Sequence, residues 1–364
     1  MGITKDLIFE TMDRIIDSRS GYAFPHPEEA YKHLLLRKTK RFINRMLSKL
    51  GFVLIKQSDF ANLLENCPTQ NDEAGRKFLR YVLEKGEEID KLFPLLSDEY
   101  SRGILKWFIQ YRVCSALLGT KANTLFPPRY TELERQKDLN SKIKSGKDEY
   151  LSLYEVDNFR IRTIKSLLYN TYFLRQYSYK TLVSPKNGDC VLDIGACFGE
   201  TSVWFSDKVG EEGHVWAFEP DSVNREVLEE NIAINKINNI SVISKGAFSE
   251  NRQMYMNSNG ISSHISEHNC GNSIDLVAVD SFVESNGIRR VDYIKMDIEG
   301  GERKAIEGMR ETIKRFSPSL ALSVYHLYDD IVQIPKIVLE INPEYQVYLD
   351  HFCPDNTETV MFFR

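Results

Sequence analysis

The segment Cys190–Ser202 (CVLDIGACFGETS) constrains the fold more strongly than any other part of this chain. It starts with apolar residues typical of a buried strand, and glycines follow at positions 195 and 199. Glycine allows the backbone to turn tightly and to approach a ligand closely. A helix that begins beside Gly199 would direct its free N–H groups and the positive end of its dipole at that ligand. The segment therefore predicts a strand, a ligand-binding turn and a helix, in that order.

A second strand ends in an acidic residue at a distance that suits the first motif. Val215–Pro220 (VWAFEP) is apolar up to Glu219, which lies 26 positions after Asp193. Nucleotide-binding α/β folds use a carboxylate at the tip of the second strand to hold a ribose diol. Taken alone, the first motif could also be a strand, turn and helix that bind no ligand. The presence of Glu219 at the end of the second strand favours ligand binding. The motif is not the dinucleotide fingerprint Gly-x-Gly-x-x-Gly, because the chain has Asp-x-Gly-x-x-x-Gly-Glu instead.

Length and composition place the chain among ordinary globular proteins. Its 364 residues allow two domains, and 42% hydrophobic with 27% charged residues is a typical balance. A net charge of −5 argues against a nucleic-acid partner. The six cysteines lack a Cys-x-x-Cys pair, which favours a reducing compartment and argues against a zinc ribbon. With neither a signal-peptide pattern nor an apolar run of about 20 residues, the expected location is the cytoplasm.

The two halves of the chain differ in pattern. Residues 1–170 have apolar residues at helical spacing, as in segments 7–16, 78–83 and 104–113, and predict a mostly α-helical N-terminal domain. Residues 171–364 alternate between strands and helices, which predicts a mostly parallel sheet with helices on both faces. The expected strands are 190–194, 214–219, 240–245, 292–297, 319–325, 345–349 and 358–363. The expected helices are 200–208, 222–235, 302–315 and 327–341, and a capping box at 281–284 (SFVE) predicts a short helix that starts there.

Three further polar residues fall at predicted strand ends. Asp297 follows an apolar strand, and Glu299 comes shortly after it, before two glycines. His326 ends the next apolar strand. Since ligands of open α/β sheets bind at the carboxyl ends of the strands, these side chains are expected beside the predicted ligand turn. Glu302 is instead expected to complement the dipole of the helix that it begins.

Asp297, Glu299 and His326 are the candidate catalytic residues. An imidazole titrates near neutral pH, so His326 could accept a proton from a hydroxyl group, and nearby carboxylates would raise its pKa and fix its tautomer. The same three side chains could instead bind one Mg²⁺ or Mn²⁺ ion, with waters completing the shell. The sequence leaves both roles open.

Taken together, three motifs resemble the FkbM family of methyltransferases. They are Val191–Glu200 (VLDIGACFGE), Ala217–Asp221 (AFEPD) with Asn224, and Tyr293–Gly300 (YIKMDIEG), in compatible order and spacing. The resemblance covers residues from about 170 to 364. The N-terminal domain of residues 1–170 is similar to helical extensions on some family members, which implies a role in acceptor binding or oligomerisation. It implies a class I Rossmann-like fold with a seven-stranded sheet, S-adenosylmethionine as methyl donor, and O-methylation of a sugar, glycan or natural-product hydroxyl, as in polysaccharide biosynthesis.

The resemblance also implies which residues bind the donor. Gly195 and Gly199 would lie against its methionine part, Glu219 would hold the ribose, and Ala247 with Phe248 would flank the adenine. Cys197 is expected to be a small filler in the turn rather than a nucleophile. The full set of expected donor-binding residues comprises Asp193, Gly195, Cys197, Gly199, Glu200, Thr201, Glu219, Pro220, Asn224, Ala247, Phe248 and Asp297.

Two other function classes fit parts of the pattern. A non-catalytic module would bind the donor and act as an assembly partner, with the strand-end acids serving only as helix caps. A nicotinamide-dependent dehydrogenase would use a similar fold, but the missing third glycine argues against it. Methyl transfer by Asp297→Ala and His326→Ala variants would separate the first class from an enzyme. Comparing the binding of S-adenosylhomocysteine with the binding of NAD would test the dehydrogenase class.

One basic segment stands apart in this acidic protein. Residues 30–58 contain eight Lys or Arg and no acidic residue, with apolar residues at helical spacing over 42–50. A domain helix with a solvated basic face would explain this pattern. The functional alternative is contact of residues 32–56 with an anionic membrane surface or a lipid-linked anionic glycan.

Overall fold

A computed structural model describes residues 2–19, 73–119, 122–127, 144–145, 151–266, 268 and 272–364. The chain divides into two compact units, one of residues 1–94 and 102–128, the other of residues 95–101 and 129–364. The basic segment 32–56 lies outside the described residues, and its role stays a prediction. The domain boundary at residue 170 and the role of the N-terminal domain also stay predictions.

The N-terminal region is helical, as predicted. Its helices are Ile3–Arg19, Glu73–Asp90, Glu99–Leu118 and Ala122–Leu125. Within the first unit, Asp90 accepts hydrogen bonds from the backbone N–H and the hydroxyl of Thr4, at 2.7 and 2.6 Å. Phe78 packs edge-on against Phe108, with ring centroids 5.9 Å apart. Among the helices that the structure describes, none has the length and apolar character that crossing a bilayer requires.

The second unit is built on a central seven-stranded sheet, whose strands we number along the chain. They are β1 Cys190–Ile194, β2 His214–Phe218, β3 Ile240–Ile243, β4 Tyr293–Met296, β5 Ser319–Ser323, β6 Val347–His351 and β7 Thr359–Phe363. The order across the sheet is β3-β2-β1-β4-β5-β7-β6, and β7 runs antiparallel to both neighbours. This is the predicted Rossmann-like sheet, and each strand lies within two residues of its expected position.

The strands at the centre of the sheet are apolar because helices cover both faces. The exceptions are Asp193 in β1 and Lys295 in β4, which the strand register places side by side. Both side chains are buried, and Lys295 Nζ lies 3.2 Å from Asp193 Oδ1. Each charge offsets the desolvation of the other, since an unpaired buried charge is strongly destabilising.

The helices of the sheet domain match the expected ones except in one segment. They are Glu200–Val209, Ser222–Asn235, Val279–Ser285, Glu302–Glu307, Arg310–Phe316 and Asp330–Ile341. The single helix predicted over 302–315 is wrong, because the chain breaks after Glu307. A new helix begins there since Asp280 accepts hydrogen bonds from the backbone N–H groups of Glu311 and Thr312, at 3.0 and 2.7 Å.

A second, four-stranded sheet between β3 and β4 was not predicted. It comprises strands Gly246–Phe248, Arg252–Asn257, His264–Ser266 and Asn272–Ala278, paired in the order first, fourth, second, third. Alternate side chains of these strands, such as Met254, Met256 and Ile274, form their own small apolar cluster. This period-two pattern is the signal that would have identified the sheet.

A hairpin ahead of β1 was also not predicted, since that part of the chain was expected to be helical. Strands Ser152–Val156 and Phe159–Thr163 pair antiparallel, with Lys144–Ser145 at the edge. A short helix, Lys165–Tyr169, then continues into a π-helical turn over Asn170–Leu174. The turn brings Thr171, Gln176 and Tyr177 to the carboxyl ends of the central strands, where they line the candidate site.

Candidate active site

A cleft with about 980 Å³ of empty volume lies at the carboxyl ends of β1, β2 and β4. Ten of the residues predicted from the sequence line it, namely Gly195, Cys197, Glu200, Thr201, Glu219, Pro220, Asn224, Ala247, Asp297 and Glu299. Asp193, Gly199, Phe248 and His326 are not among the lining residues.

The turn after β1 requires glycine for two different reasons. Gly195 has a φ of +82°, and a Cβ atom there would lie 1.9 Å from the carbonyl oxygen of Asp297. Gly199 has a φ of +85°, and its Cβ would lie 2.2 Å from Leu228 Cδ1. The first glycine therefore allows β1 and β4 to approach at the cleft floor, and the second allows the helix Glu200–Val209 to pack on its neighbour. This packing explains why Gly199 does not face the cleft.

Asp193 does not line the cleft and instead stabilises the turn after β1 through hydrogen bonds. It accepts hydrogen bonds from the hydroxyls of Thr201 and Ser202, at 2.8 and 2.6 Å. Its ion-pair partner Lys295 lines the cleft and donates to the carbonyl oxygen of Gly195. Asp193 and Lys295 together fix the turn and the start of the helix that follows it.

Glu219 ends β2 with its carboxylate at the cleft wall. It accepts hydrogen bonds from the backbone N–H groups of Cys197 and Asp221, at 2.8 and 2.9 Å. The residue is 5% exposed, and burial raises the pKa of Glu219 to about 7. Each carboxylate oxygen has a second lone pair, so the group can accept two more hydrogen bonds from a ligand diol.

Glu200 is a second buried carboxylate of the cleft, in the first turn of its helix. Thr163 donates a hydrogen bond to it at 3.3 Å, and burial raises the pKa of Glu200 to about 7. Near the opposite wall, the amide of Asn224 donates to the carbonyl oxygen of Gly260 at 3.1 Å, which ties the second sheet to the helix Ser222–Asn235. Burial raises the pKa of the Cys197 thiol well above its usual value, which disfavours the thiolate that a nucleophile requires.

Asp297 is the most heavily bonded side chain of the cleft. It accepts hydrogen bonds from the hydroxyls of Tyr177 and Tyr325, at 2.6 and 3.3 Å, and lies 3.3 Å from His326 Nε2. Burial alone would raise the pKa of Asp297, but the charges of His326 and Lys295 and the Tyr177 hydrogen bond lower it. Asp297 is thus an ionised, firmly oriented carboxylate.

His326 lies between three carboxylates. Its Nδ1 is 2.9 Å from Glu302, and its Nε2 is 3.3 Å from Asp297 and 3.6 Å from Glu299. Burial alone would lower the pKa of His326, but Glu302, Glu299 and Asp297 raise it well above the usual value. The arrangement favours the protonated ring, which cannot accept a proton. Glu302, expected only to complement a helix dipole, also holds His326 in place.

The spacing of these groups is also compatible with a divalent cation. Neighbouring ligands of an octahedral Mg²⁺ lie about 3 Å apart, close to the distances from His326 Nε2 to Asp297 and Glu299. Ligand atoms of Asp297, Glu302 and His326 lie within 4.8 Å of one another. The set that the structure brings together therefore shares Asp297 and His326 with the predicted metal site, but it has Glu302 in the place of Glu299.

Sequence reasoning missed four lining residues at the β5 and β7 side of the cleft, namely Gln176, Tyr177, Tyr325 and Glu358. Tyr325 directly precedes His326, so its place at a strand end was available from the sequence. Glu358 directly precedes β7, and since β7 is antiparallel its start lies at the same edge. No sequence pattern places Gln176 or Tyr177 there.

Comparison with known proteins gives a family for the sheet domain. Residues 193–361 match the methyltransferase FkbM domain. No curated protein matches the chain. A solved FkbM methyltransferase from Methylobacillus flagellatus is 20% identical, covers 89% of this chain and 70% of its own, and superposes with a TM-score of 0.55, which shows the shared fold. Fibrillarin from Aeropyrum pernix, solved with bound S-adenosylmethionine, is 13% identical over 61% of this chain and 99% of its own, with a TM-score of 0.37.

Proposed function

Since residues 193–361 make this chain a member of the FkbM methyltransferase family, we propose that it transfers the methyl group of S-adenosylmethionine to a hydroxyl of a sugar, glycan or natural product. The observation that carries the proposal is the pairing of two features in one cleft. Gly195 lines the cleft and lets the ends of β1 and β4 meet at its floor, and the buried carboxylate of Glu219 offers free lone pairs at the wall.

The two ends of the cleft suit the two substrates. Glu219 on β2 and the second sheet, with Ala247 and Met256, would hold the nucleoside part of the donor. Asp297 on β4, with Tyr177 and Tyr325, would face the acceptor. Tyrosine rings beside carboxylates give both stacking and hydrogen-bonding surfaces for a polyol, which supports a hydroxyl acceptor.

Methyl transfer requires alignment more than it requires bond activation. The acceptor oxygen attacks the sulfonium methyl in line, the carbon–sulfur bond breaks, and the acceptor proton leaves. The rigid floor formed by Gly195 and Asp297 would fix the donor, and such positioning alone can supply several kcal/mol of the barrier reduction. A cation held by Asp297, Glu299 and His326, either Mg²⁺ or Mn²⁺, would polarise the acceptor hydroxyl and lower its pKa.

Binding and transfer assays test this function. Calorimetry should show S-adenosylhomocysteine binding and no binding of NAD, and methyl-labelled S-adenosylmethionine should label a sugar or polysaccharide. Failure of S-adenosylhomocysteine to bind would refute the donor assignment. Binding without transfer to any acceptor would favour a non-catalytic assembly partner. Loss of transfer on EDTA treatment, with recovery in Mg²⁺ or Mn²⁺, would support the metal; retention would exclude it.

We further propose that the protein is located in the cytoplasm and that residues 32–56 deliver it to an anionic membrane or lipid-linked glycan. No nucleic-acid partner is proposed, because the net charge of −5 disfavours binding to polyanions.

A further inference from the structure

Glu358 occupies a position in the cleft that the family resemblance did not identify. It lies directly before β7 and lines the cleft together with Gln176, Tyr177 and Tyr325. Its φ is +55°, in the left-handed region that residues with a side chain seldom adopt. Strained backbone of this kind concentrates at functional sites. The strain turns the chain where it enters β7.

The sheet order puts Glu358 at the acceptor end. The sequence β2-β1-β4-β5-β7 across the sheet places Glu219 and Glu358 on opposite sides of the glycine turn after β1. A donor whose ribose is held at β2 by Glu219 would occupy that side of the cleft and leave the β5 and β7 side for an acceptor. Glu358 is therefore on the side from which an acceptor approaches.

The carboxylate of Glu358 is also less committed than the others around it. Asp297 accepts hydrogen bonds from two tyrosines and pairs with His326, and Glu219 accepts from two backbone N–H groups. Gln176 donates to Oε2 of Glu358, and no donor among the described residues reaches Oε1. Glu358 lines the cleft and is not fully buried, which leaves its carboxylate available to a ligand.

We propose that Glu358 is the general base of the methyl transfer, an inference that rests on the proposed function. Its carboxylate removes the proton of the acceptor hydroxyl while the acceptor oxygen forms a bond to the methyl carbon. The carbon–sulfur bond breaks, and its electron pair stays on sulfur as the neutral thioether. Gln176 positions the carboxylate through Oε2, and Asp297 remains ionised throughout.

The acid–base properties of Glu358 agree with this role. Burial, followed by the charge of Asp297, raises the pKa of Glu358 to about 8. A general base works best when its pKa lies near the operating pH.

A binding experiment tests the placement without knowledge of the acceptor. Sinefungin, a donor analogue, carries an ammonium group where the donor carries its transferable methyl, whereas S-adenosylhomocysteine is neutral there. At pH 8.5, where Glu358 is ionised, wild type should prefer sinefungin. Glu358→Gln keeps the shape and the Gln176 contact, and should reduce that preference by about tenfold, the effect of one charge-assisted hydrogen bond. Its affinity for S-adenosylhomocysteine should stay within about twofold.

Controls separate the possible outcomes. Glu344→Gln, an exposed substitution, should leave both affinities unchanged. An unchanged sinefungin preference in Glu358→Gln would overturn the proposal while leaving the methyltransferase function intact, whereas a wild type that binds neither ligand would refute the function itself. If Glu358→Gln does not fold, Glu358→Asp, which keeps the charge on a shorter side chain, should lose part of the preference. With an acceptor in hand, Glu358→Gln should lower kcat about 10²–10⁴-fold at unchanged donor KM.

Discussion

At the scale of single residues, Glu219 shows a conflict between stability and ligand binding. The folded protein buries this carboxylate with two backbone N–H donors and raises its pKa from 4.5 to about 7. The folded state therefore holds the proton more tightly than the unfolded chain does. The stability from this proton is present below pH 4.5 and is lost as the pH rises to 7.

Glu219→Gln should consequently have opposite effects on stability and binding. At pH 8 it should raise the free energy of unfolding, by at most about 3 kcal/mol, because a neutral amide replaces a buried charge. At pH 4 the gain should vanish. Affinity for S-adenosylhomocysteine should fall by about 1–3 kcal/mol. Urea unfolding at both pH values and calorimetry measure these effects, and Glu211→Gln is an exposed control. Undiminished affinity in the folded variant would refute ribose binding by Glu219.

The cluster around His326 yields a second prediction at this scale. His326→Ala and Asp297→Ala should lower turnover far more than donor affinity, since both groups lie towards the acceptor. A loss of about 10²–10⁴-fold in kcat is expected if either group takes part in the chemistry. Label-transfer kinetics beside S-adenosylhomocysteine calorimetry would show the split. Near-normal turnover in both variants would remove this cluster from the mechanism.

At the scale of elements, the cleft floor depends on how closely β1 and β4 approach after their ends. Gly195 lies against the backbone of Asp297, where a Cβ atom would be 1.9 Å from the carbonyl oxygen. Gly188 has nearly the same φ, +83°, but no atom lies within 4 Å of its Cβ position. Comparing alanine substitutions at the two glycines therefore distinguishes the energetic cost of the backbone conformation from the cost of the close contact.

Gly188→Ala should therefore destabilise the protein by about 1 kcal/mol, the conformational cost alone. Gly195→Ala should cost more than about 3 kcal/mol and reduce S-adenosylhomocysteine binding, because the strand ends must separate. Thermal unfolding and calorimetry on both variants provide the comparison. Equal destabilisation by the two substitutions would mean that packing against Asp297 contributes nothing.

The helix Ser222–Asn235 substitutes for a strand partner of the hairpin. Asn231 accepts from the backbone N–H of Arg162 and donates to its carbonyl oxygen, at 2.7 and 2.8 Å, and donates to the carbonyl oxygen of Phe198 at 2.7 Å. Asn235 makes the same pair of bonds to Arg160 at an exposed position. These amides pair with the backbone of the strand Phe159–Thr163 as a neighbouring strand would.

Removing each amide should have very different consequences. Asn231→Ala leaves buried backbone groups unpaired and should cost about 3 kcal/mol. At Asn235 water replaces the lost bonds, so Asn235→Ala should cost less than about 1 kcal/mol. The difference in free energy of unfolding between the two variants is the measurement. Similar values for both would show that burial of the Asn231 contacts does not matter.

At the scale of the whole molecule, charge is distributed unevenly along the sequence. The protein carries a net charge of −5, yet residues 32–56 contain eight cations and no acid. Each exposed cation near an anionic surface contributes about 1 kcal/mol of attraction, and salt screens it. Residues 32–56 would then determine where the protein acts and would not affect the reaction, since other residues form the cleft.

Charge reversal of Arg37, Lys38, Arg41 and Arg45 to Glu should thus weaken binding to anionic liposomes or polysaccharide at low salt. Turnover on a small acceptor should stay at the wild-type level. Liposome sedimentation at two salt concentrations measures the effect. Equal binding by wild type and variant at low salt would assign the segment to a structural role.

The sequence by itself determined the central sheet and one half of the cleft. Apolar runs located all seven strands, because strands of a sheet that is covered on both faces leave a continuous apolar signal in the chain. Glycines, Glu219 and Asp297 were identifiable because residues at strand ends meet at one edge of such a sheet. These properties depend on local pattern and short spacing, so a linear reading could find them.

Tertiary structure alone decided the rest of the site. In the sequence, Lys295 is an unexplained charge within an apolar strand, and only the strand register shows that it lies beside Asp193. The sequence indicates only that Glu302 complements a helix dipole, and the tertiary structure shows that it also contacts His326, which lies 24 positions later in the chain. Gln176, Tyr177 and Glu358 reach the acceptor end from a π-helical turn and an antiparallel strand far apart in sequence. Burial and charge then set their acid–base behaviour, and both depend on neighbours that the order of residues does not reveal.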